Sequence, residues 1–230
     1  SDENTSKVIK SAEAKGKSVE KYLDEITSGF KSLFEMINIS SDDFIWTTDK
    51  KKHWPGVIKM WNALVASGDI YKNTYEGLYC ANCEAFYTEK DLVDGRCPHH
   101  STVPEMLKEE NYFFRLSKYA DQVAEKIESG EFTILPEARK NEILAFIKRG
   151  VEDVSFSRPL SVVPHGIPVP GDENQVIYVW CDALTNYISA LGYGSEDESL
   201  LKKFWPADVQ IMGKDILRFH ALIWPAMLLS

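Results

Sequence analysis

The stretch Val176-Ile177-Tyr178-Val179-Trp180-Cys181-Asp182-Ala183-Leu184-Thr185-Asn186-Tyr187, with Gly213-Lys214-Asp215-Ile216-Leu217-Arg218-Phe219-His220 downstream, decides the fold. Each half reads as a short apolar strand, 176–180 and then Val209-Gln210-Ile211-Met212, that runs into a helix. Asp182 and Asp215 stand where a carboxylate can satisfy the free amides of a helix start. In an open α/β sheet, ligands sit at this strand-to-helix edge. The side chains gathered there are specific: Trp180, Tyr187, Ile216 and His220 for a soft apolar pocket, Gly213 and Asp215 for a neighbouring ribose.

Beyond these two segments the chain carries Trp224-Pro225-Ala226-Met227, Ser157-Arg158-Pro159 and Gly166-Ile167-Pro168. In this order the pattern resembles the catalytic core of the methionyl-tRNA synthetases, and the likeness runs through nearly the whole chain. Ser1-Asp2-Glu3-Asn4 is similar to the family's Thr-Asp-Glu-His, with Asn4 where histidine is usual and Thr5 where glycine is usual. Asn82-Cys83-Glu84-Ala85-Phe86-Tyr87-Thr88-Glu89 is similar to its zinc knuckle. The resemblance implies an α/β fold: part of a Rossmann-like class I synthetase catalytic core with an inserted zinc-knuckle connective-peptide domain.

Composition sets independent bounds. The 230 residues, 44% of them hydrophobic, can bury a substantial core and fit one large or two small domains. No run of about 18 apolar residues exists, so no membrane span is expected. Residues 1–10 are polar and carry no signal-peptide core, which makes a cytoplasmic setting the default. A net charge of −9 argues against a surface that grips nucleic acid throughout; DNA is not an expected partner, while a local basic face for tRNA stays compatible. Lys50-Lys51-Lys52 and Lys202-Lys203 read first as solvated helix ends.

The chain divides into three parts. Residues 1–70 read as the first part of the α/β core, with two helices within 4–38, a strand at Phe44-Ile45-Trp46-Thr47, and a helix from Val57 that Ser67-Gly68 stops. Residues 71–150 read as an insertion: short aromatic strands broken by turns, a knuckle at about 78–102, and helices at 117–129 and 137–148, the second entered at Pro136. Residues 151–230 read as the second part of the core, whose α/β pattern resumes beyond Arg158 with the proline-rich stretch 164–171 as the re-entry loop.

Cys80-x-x-Cys83 and Cys97-x-x-His100 are two ligand pairs separated by a 13-residue loop, a spacing suited to tetrahedral zinc held by three thiolates and one imidazole. His99 is the alternative fourth ligand; the two-residue gap favours His100, and the family's Cys-Pro-x-His agrees. Reduced metal-free thiols or a disulfide are the plain alternatives, the latter out of place without a secretory signal. Cys181 reads as a small buried apolar residue.

Methionine carries a polarizable, uncharged thioether, which aromatic and aliphatic surface can select by shape and dispersion. The resemblance implies that Trp180, Ala183, Leu184, Tyr187, Ile216 and His220 line that pocket; read alone, Trp180, Leu184 and Tyr187 would pass as ordinary core. It also implies that Asp2 pairs with the α-ammonium group and that Gly213, Lys214 and Asp215 face ATP. Asp2, Arg158 and Lys214 are the residues it implies for the chemistry. His220 is assigned to recognition rather than proton transfer, and His53 and His165 to structure.

The reaction so implied is that of a methionine-tRNA ligase: Mg2+-bound ATP adenylates methionine, and the methionyl group passes to tRNA(Met). Two other readings stay open: a related class I synthetase for branched-aliphatic residues or cysteine, and a non-catalytic zinc-knuckle module that binds RNA or protein. The sequence holds no His-x-Gly-His and no Lys-Met-Ser-Lys-Ser segment, the two class I motifs for the triphosphate. By the resemblance, the first would precede this chain and the second follow it, so the chain resembles an internal piece of a longer enzyme. The 230 residues alone are therefore expected not to form methionyl adenylate at a useful rate; methionine-dependent pyrophosphate exchange by the isolated chain would refute this.

Overall fold

The structure, a computed structural model, describes residues 3–4, 6–83 and 85–230, and the backbone alone at residues 6, 7, 75, 85 and 86. The expectation placed on Asp2 lies outside the described residues. Two helices in contact with each other come first, α1 (Ser6–Ala14) and α2 (Val19–Met36). Gly16 at φ +63° lets the chain leave α1, and the Ser18 hydroxyl accepts from the Lys21 amide to start α2. Residues 44–47 form no strand, contrary to the sequence pattern. Ring contacts hold them instead: Phe44 lies 5.9 Å from Phe34, and the Lys31 ammonium sits 4.2 Å from the Trp46 ring. An aromatic run so short can be fixed by side chains without a backbone ladder.

Helix α3 (Trp54–Ala66) starts a turn earlier than the apolar run suggests, because Pro55 suits its first positions, and Gly68 at φ +76° ends it. The chain then enters β1 (Ile70–Cys80), which pairs antiparallel with β3 (Glu105–Phe114) from Ile70↔Phe114 to Tyr79↔Glu105. These are two long strands rather than several short ones: Gly77 fits the ladder opposite Leu107 and breaks nothing. Short β2 (Ala85–Tyr87) and β4 (Val154–Ser155) complete the order β2-β1-β3-β4. Helices α4 (Ala120–Ser129) and α5 (Glu137–Lys148) pack on one another, with Pro136 just before α5.

A second sheet, β5-β7-β6, is formed by β5 (Ser157–Pro159), β6 (Pro168–Val169) and β7 (Asp172–Ile177). Ser157 joins the two sheets, its hydroxyl accepting from the Tyr112 amide at 2.8 Å and donating to Gln175 Oε1 at 2.6 Å. Strand β7 ends at Ile177 and α6 (Val179–Ser189) begins at once, so Val179 and Trp180 belong to the helix rather than to the strand read from the sequence. After α7 (Ser199–Phe204) come a 3-10 turn at Lys214–Ile216, a π turn at Phe219–Ile223 and α8 (Trp224–Leu229).

The strand expected at Val209–Met212 does not form. Val209 is 74% and Ile211 92% exposed, and no described strand lies alongside to take up their backbone groups. The core gathers around Trp61, Trp224, Phe114 and Phe156, with the last two rings stacked at 4.9 Å.

One polar knot ties α3 and β1 to α8. Asp69, 1% exposed, accepts from Lys118 Nζ at 2.7 Å, from the Tyr119 hydroxyl and from Ser230 Oγ at 2.8 Å. Burial alone would raise its carboxyl, but these donors outweigh burial and hold it at about 2. A depressed folded value adds stability above the unfolded value, 3.8, and loses it as pH falls towards about 2. Asp69→Asn is expected to cost about 2 kcal/mol at pH 6, and urea midpoints should show the gap to the parent protein closing between pH 4 and 2.

Candidate functional site

Helix α6 presents its residues to two different neighbours. On one side Trp180 stacks on Phe219, ring centroids 3.5 Å apart, and the Tyr187 hydroxyl lies 2.7 Å from His220 Nε2. His220 Nδ1 lies 3.0 Å from the carbonyl oxygen of Ile216. A carbonyl only accepts, so Nδ1 carries the proton and Nε2 accepts from Tyr187. With both ring nitrogens engaged, the imidazole is a fixed polar wall. Phe219 was invisible as a site residue in the sequence; its place between Arg218 and His220, on a turn facing α6, makes it the partner of Trp180.

Trp180, Ala183, Tyr187, Ile216 and His220 are thus brought to one region, where α6 meets the 214–223 turns. Ala183 packs with Tyr178, Val179 and Trp180, whereas Leu184 points into the main core. The Trp180 indole N–H is buried, and no described residue accepts it. Gly213, Lys214 and Asp215 lie exposed at the edge of the same region. Asp215 sits within the 3-10 turn, behind Gly213, rather than capping a helix.

On its other side α6 carries Asp182, which the sequence pattern casts as a helix cap. It is not one. Its carboxylate is 0% exposed and turned to the core: Oδ1 lies 2.5 Å from His53 Nε2, and Oδ2 accepts from Asn4 Nδ2 at 2.7 Å. Burial pushes the Asp182 carboxyl up, against the pull of His53 and Asn4. These partners stand 129 and 178 residues away in sequence, beyond any local signal. His53 Nδ1 in turn meets Ser189 Oγ at 2.7 Å. The resulting Ser-His-Asp row is no hydrolytic triad, since all three side chains are shut inside the core and no substrate reaches the hydroxyl. Cys181, also fully buried, has its thiol pushed up by burial and is no nucleophile.

Arg158 is 4% exposed. Its Nη1 donates to Ser155 Oγ at 2.7 Å and to the Ser157 carbonyl at 3.0 Å, while the guanidinium lies over the rings of Tyr178, at 4.2 Å, and Tyr79, at 5.4 Å. It joins the residue before α6 to the residue before Cys80. His165 Nε2 donates to the Glu3 carbonyl at 3.0 Å.

At the far end of the β1–β3 ribbon the donor atoms of Cys80, Cys83, Cys97 and His100 all lie within 4.8 Å of one another. Cys83 Sγ is 3.3 Å from Cys97 Sγ and 3.0 Å from His100 Nδ1. Tetrahedral zinc with bonds of about 2.3 Å to sulfur needs donors roughly 3.7 Å apart, so the set is compatible with that ion. The Tyr87 hydroxyl donates to Cys83 Sγ at 3.0 Å, the kind of outer contact that orients a ligand. His100, not His99, belongs to the cluster.

The family model described as "tRNA synthetases class I (M)" matches residues 1–102 and 90–230. The chain belongs to this family. Among its class I synthetase relatives, the methionine–tRNA ligase of Clostridium acetobutylicum is 51% identical over the whole chain, and that of Clostridium tetani 49%. The chain spans about a third of the length of these curated relatives, 35% of each. The crystal structure of Mycobacterium tuberculosis methionyl-tRNA synthetase bound by methionyl-adenylate superposes with a TM-score of 0.92 at 38% identity, covering 100% of this chain and 46% of that one. Its apo form gives 0.81 over 91% of this chain and 42% of that one. The α/β synthetase-core reading of the sequence agrees with these matches. Among the described residues no helix is long and apolar enough to cross a membrane.

The approach of α3 to α6 that pairs His53 with Ser189 depends on Gly56. A Cβ there would stand 2.6 Å from the Tyr193 carbonyl oxygen and 2.8 Å from Ser189 Cβ. Gly56→Ala is expected to destabilise the fold by about 2 kcal/mol, read as a lowered urea midpoint with an unchanged slope.

Proposed function

We propose that the polypeptide carrying this chain is a methionine-tRNA ligase of the cytoplasm, which activates methionine with ATP and loads it onto tRNA(Met). The observation that carries this reading is the meeting of α6 with the 214–223 turns, in a chain about half identical to methionine–tRNA ligases. Trp180, Ala183, Tyr187, Ile216 and His220 offer an apolar and aromatic wall with no fixed charge, suited to a thioether. Leu184 backs that wall from the core. His220, with both nitrogens occupied, shapes the pocket and moves no proton.

In this reading Asp2 receives the α-ammonium group, a charge-assisted contact that gains strength out of water. The methionine carboxylate oxygen attacks the α-phosphorus of Mg2+-bound ATP, pyrophosphate departs, and a terminal ribose hydroxyl of the tRNA then attacks the acyl carbon and releases AMP. Such in-line steps depend on alignment and charge stabilisation. Gly213, Lys214 and Asp215, exposed on their turn, are the residues assigned to the nucleotide. Arg158 is assigned to bracing the start of α6 against the ribbon that bears the cysteines. Zinc is assigned to Cys80, Cys83, Cys97 and His100; when bound it crosslinks a knuckle that has little core of its own.

The test is amino-acid-dependent pyrophosphate exchange by the gene product. Exchange with methionine and not with leucine or cysteine is expected, together with one zinc per chain that Cys97→Ser abolishes. Trp180→Ala should raise the methionine KM by about tenfold or more. A protein that used its cluster only to bind RNA would show zinc without exchange.

A further inference from the structure

Two hydroxyls outside the ligand set reach the cysteine sulfurs. The Tyr87 phenol lies 3.0 Å from Cys83 Sγ, and Thr102 Oγ1 lies 3.5 Å from Cys80 Sγ. A sulfur bound to a metal is a thiolate and only accepts, so against a loaded site both hydroxyls donate. The two contacts are unequal. The Tyr87 bond is the shorter, and it goes to the half-buried sulfur, whereas Cys80 and Cys97 are each 1% exposed.

Strand pairing explains why a phenol arrives there. Strand β2 runs antiparallel to the end of β1, with Leu78 opposite Tyr87 and Cys80 opposite Ala85. Side chains alternate along a strand, so Cys80 and Tyr87 lie on one face of this pair, the face that Cys80 turns towards the other ligands. Cys83 stands in the turn between the two strands. Its sulfur is therefore met by a ring mounted on a paired strand, which keeps the donor in place while the turn itself carries the ligand.

Three thiolates bring more negative charge to a dication than it neutralises. A charge-assisted hydrogen bond takes up part of that excess at the sulfur and fixes the direction in which its remaining lone pairs point. We propose that Tyr87 is a positioning residue for the metal: its O–H, donated to Cys83, holds the most accessible of the three thiolates on the ion and slows the ion's release. The proposal rests on the reading of the Cys3His set as a zinc site, and adds to it a fifth residue that does not itself bind the metal.

The experiment uses the full gene product, loaded with zinc for affinity by chelator competition and with cobalt(II) for its thiolate-to-metal charge-transfer band. Cys97→Ser supplies the blank, so that only signal from this cluster is counted. Tyr87→Phe keeps the ring and removes the hydroxyl; the zinc Kd should rise about tenfold, and zinc should leave faster into excess chelator. The cobalt band should move to lower energy, because a thiolate without its donor gives up charge more readily. Thr102→Val, at the longer contact, should move both readings in the same direction by less. Tyr112→Phe loses a hydroxyl bonded to Asp172, on the part of the ribbon that pairs with Lys72, and should leave both readings unchanged.

If Tyr87→Phe does not fold, a ring-fluorinated tyrosine at position 87, a stronger donor of the same shape, should move the cobalt band to higher energy. A purely structural part for Tyr87 would lower the amount of metal bound and leave the band in place. That result, an unshifted band with an unchanged zinc Kd in Tyr87→Phe, or an unshifted band with the fluorinated residue, would overturn the proposal and leave the zinc reading standing. A parent protein with neither zinc nor a cobalt band that depends on Cys97 would bring down both.

Discussion

A carboxylate with no contact to solvent has to be met by donors or abandon its charge. Asp182 is such a group, and the donors that meet it come from distant parts of the chain: His53 from the start of α3, and Asn4 from the segment before α1. For both to arrive, α3 must lie close against α6, which Gly56 permits, and residues 3–4 must thread between Thr47 and α6. One buried acceptor therefore ties residues 3–4 and the start of α3 to α6, beside the apolar core and the Asp69 knot that join the same parts of the chain. Removing a partner would strand it, which is why a polar group at this depth ties the segments to one register instead of letting the apolar faces slide.

The opposite side of α6 is built on a different principle. There, rings meet rings: Trp180 on Phe219, Tyr187 on His220 and Trp224, Trp205 on Trp224. Flat side chains with few rotatable bonds lose little entropy when fixed and keep their shape around a guest. The one helix thus joins a rigid polar anchor to an apolar wall. Arg158, lodged between Tyr178 and Tyr79, extends the connection to the Cys3His end of the ribbon, so three regions meet at the first turn of α6.

Much of this was legible from residue order. Helical periodicity and caps locate α1 to α5 within a few residues: Gly16, Gly68 and Gly130 follow α1, α3 and α4, and α3 and α4 each bury one face, whereas Ile26, Phe30 and Leu33 of α2 stay exposed. The cysteine pairs announced their cluster, since ligand spacing is a local property. Errors fell where the deciding contact is remote. Val209–Met212 has a strand's composition and no described strand beside it, and a strand without a neighbour has nowhere to place its backbone bonds. Residues 44–47 share that composition but are held by Phe34 and Lys31. Asp182 looked like a cap because its residue type favours caps, and its true partners leave no trace nearby.

What depends on neighbours a few positions apart can be read from residue order: the helices, the metal-ligand spacing, and the motif order that places the chain in its family. Tertiary structure alone decided which side of α6 faces the pocket and which the anchor, that His53 and Asn4 share a carboxylate, and that Phe219 covers Trp180. Those choices follow from burial and from hydrogen bonds closed over more than a hundred residues, where the chain's order carries no distance information.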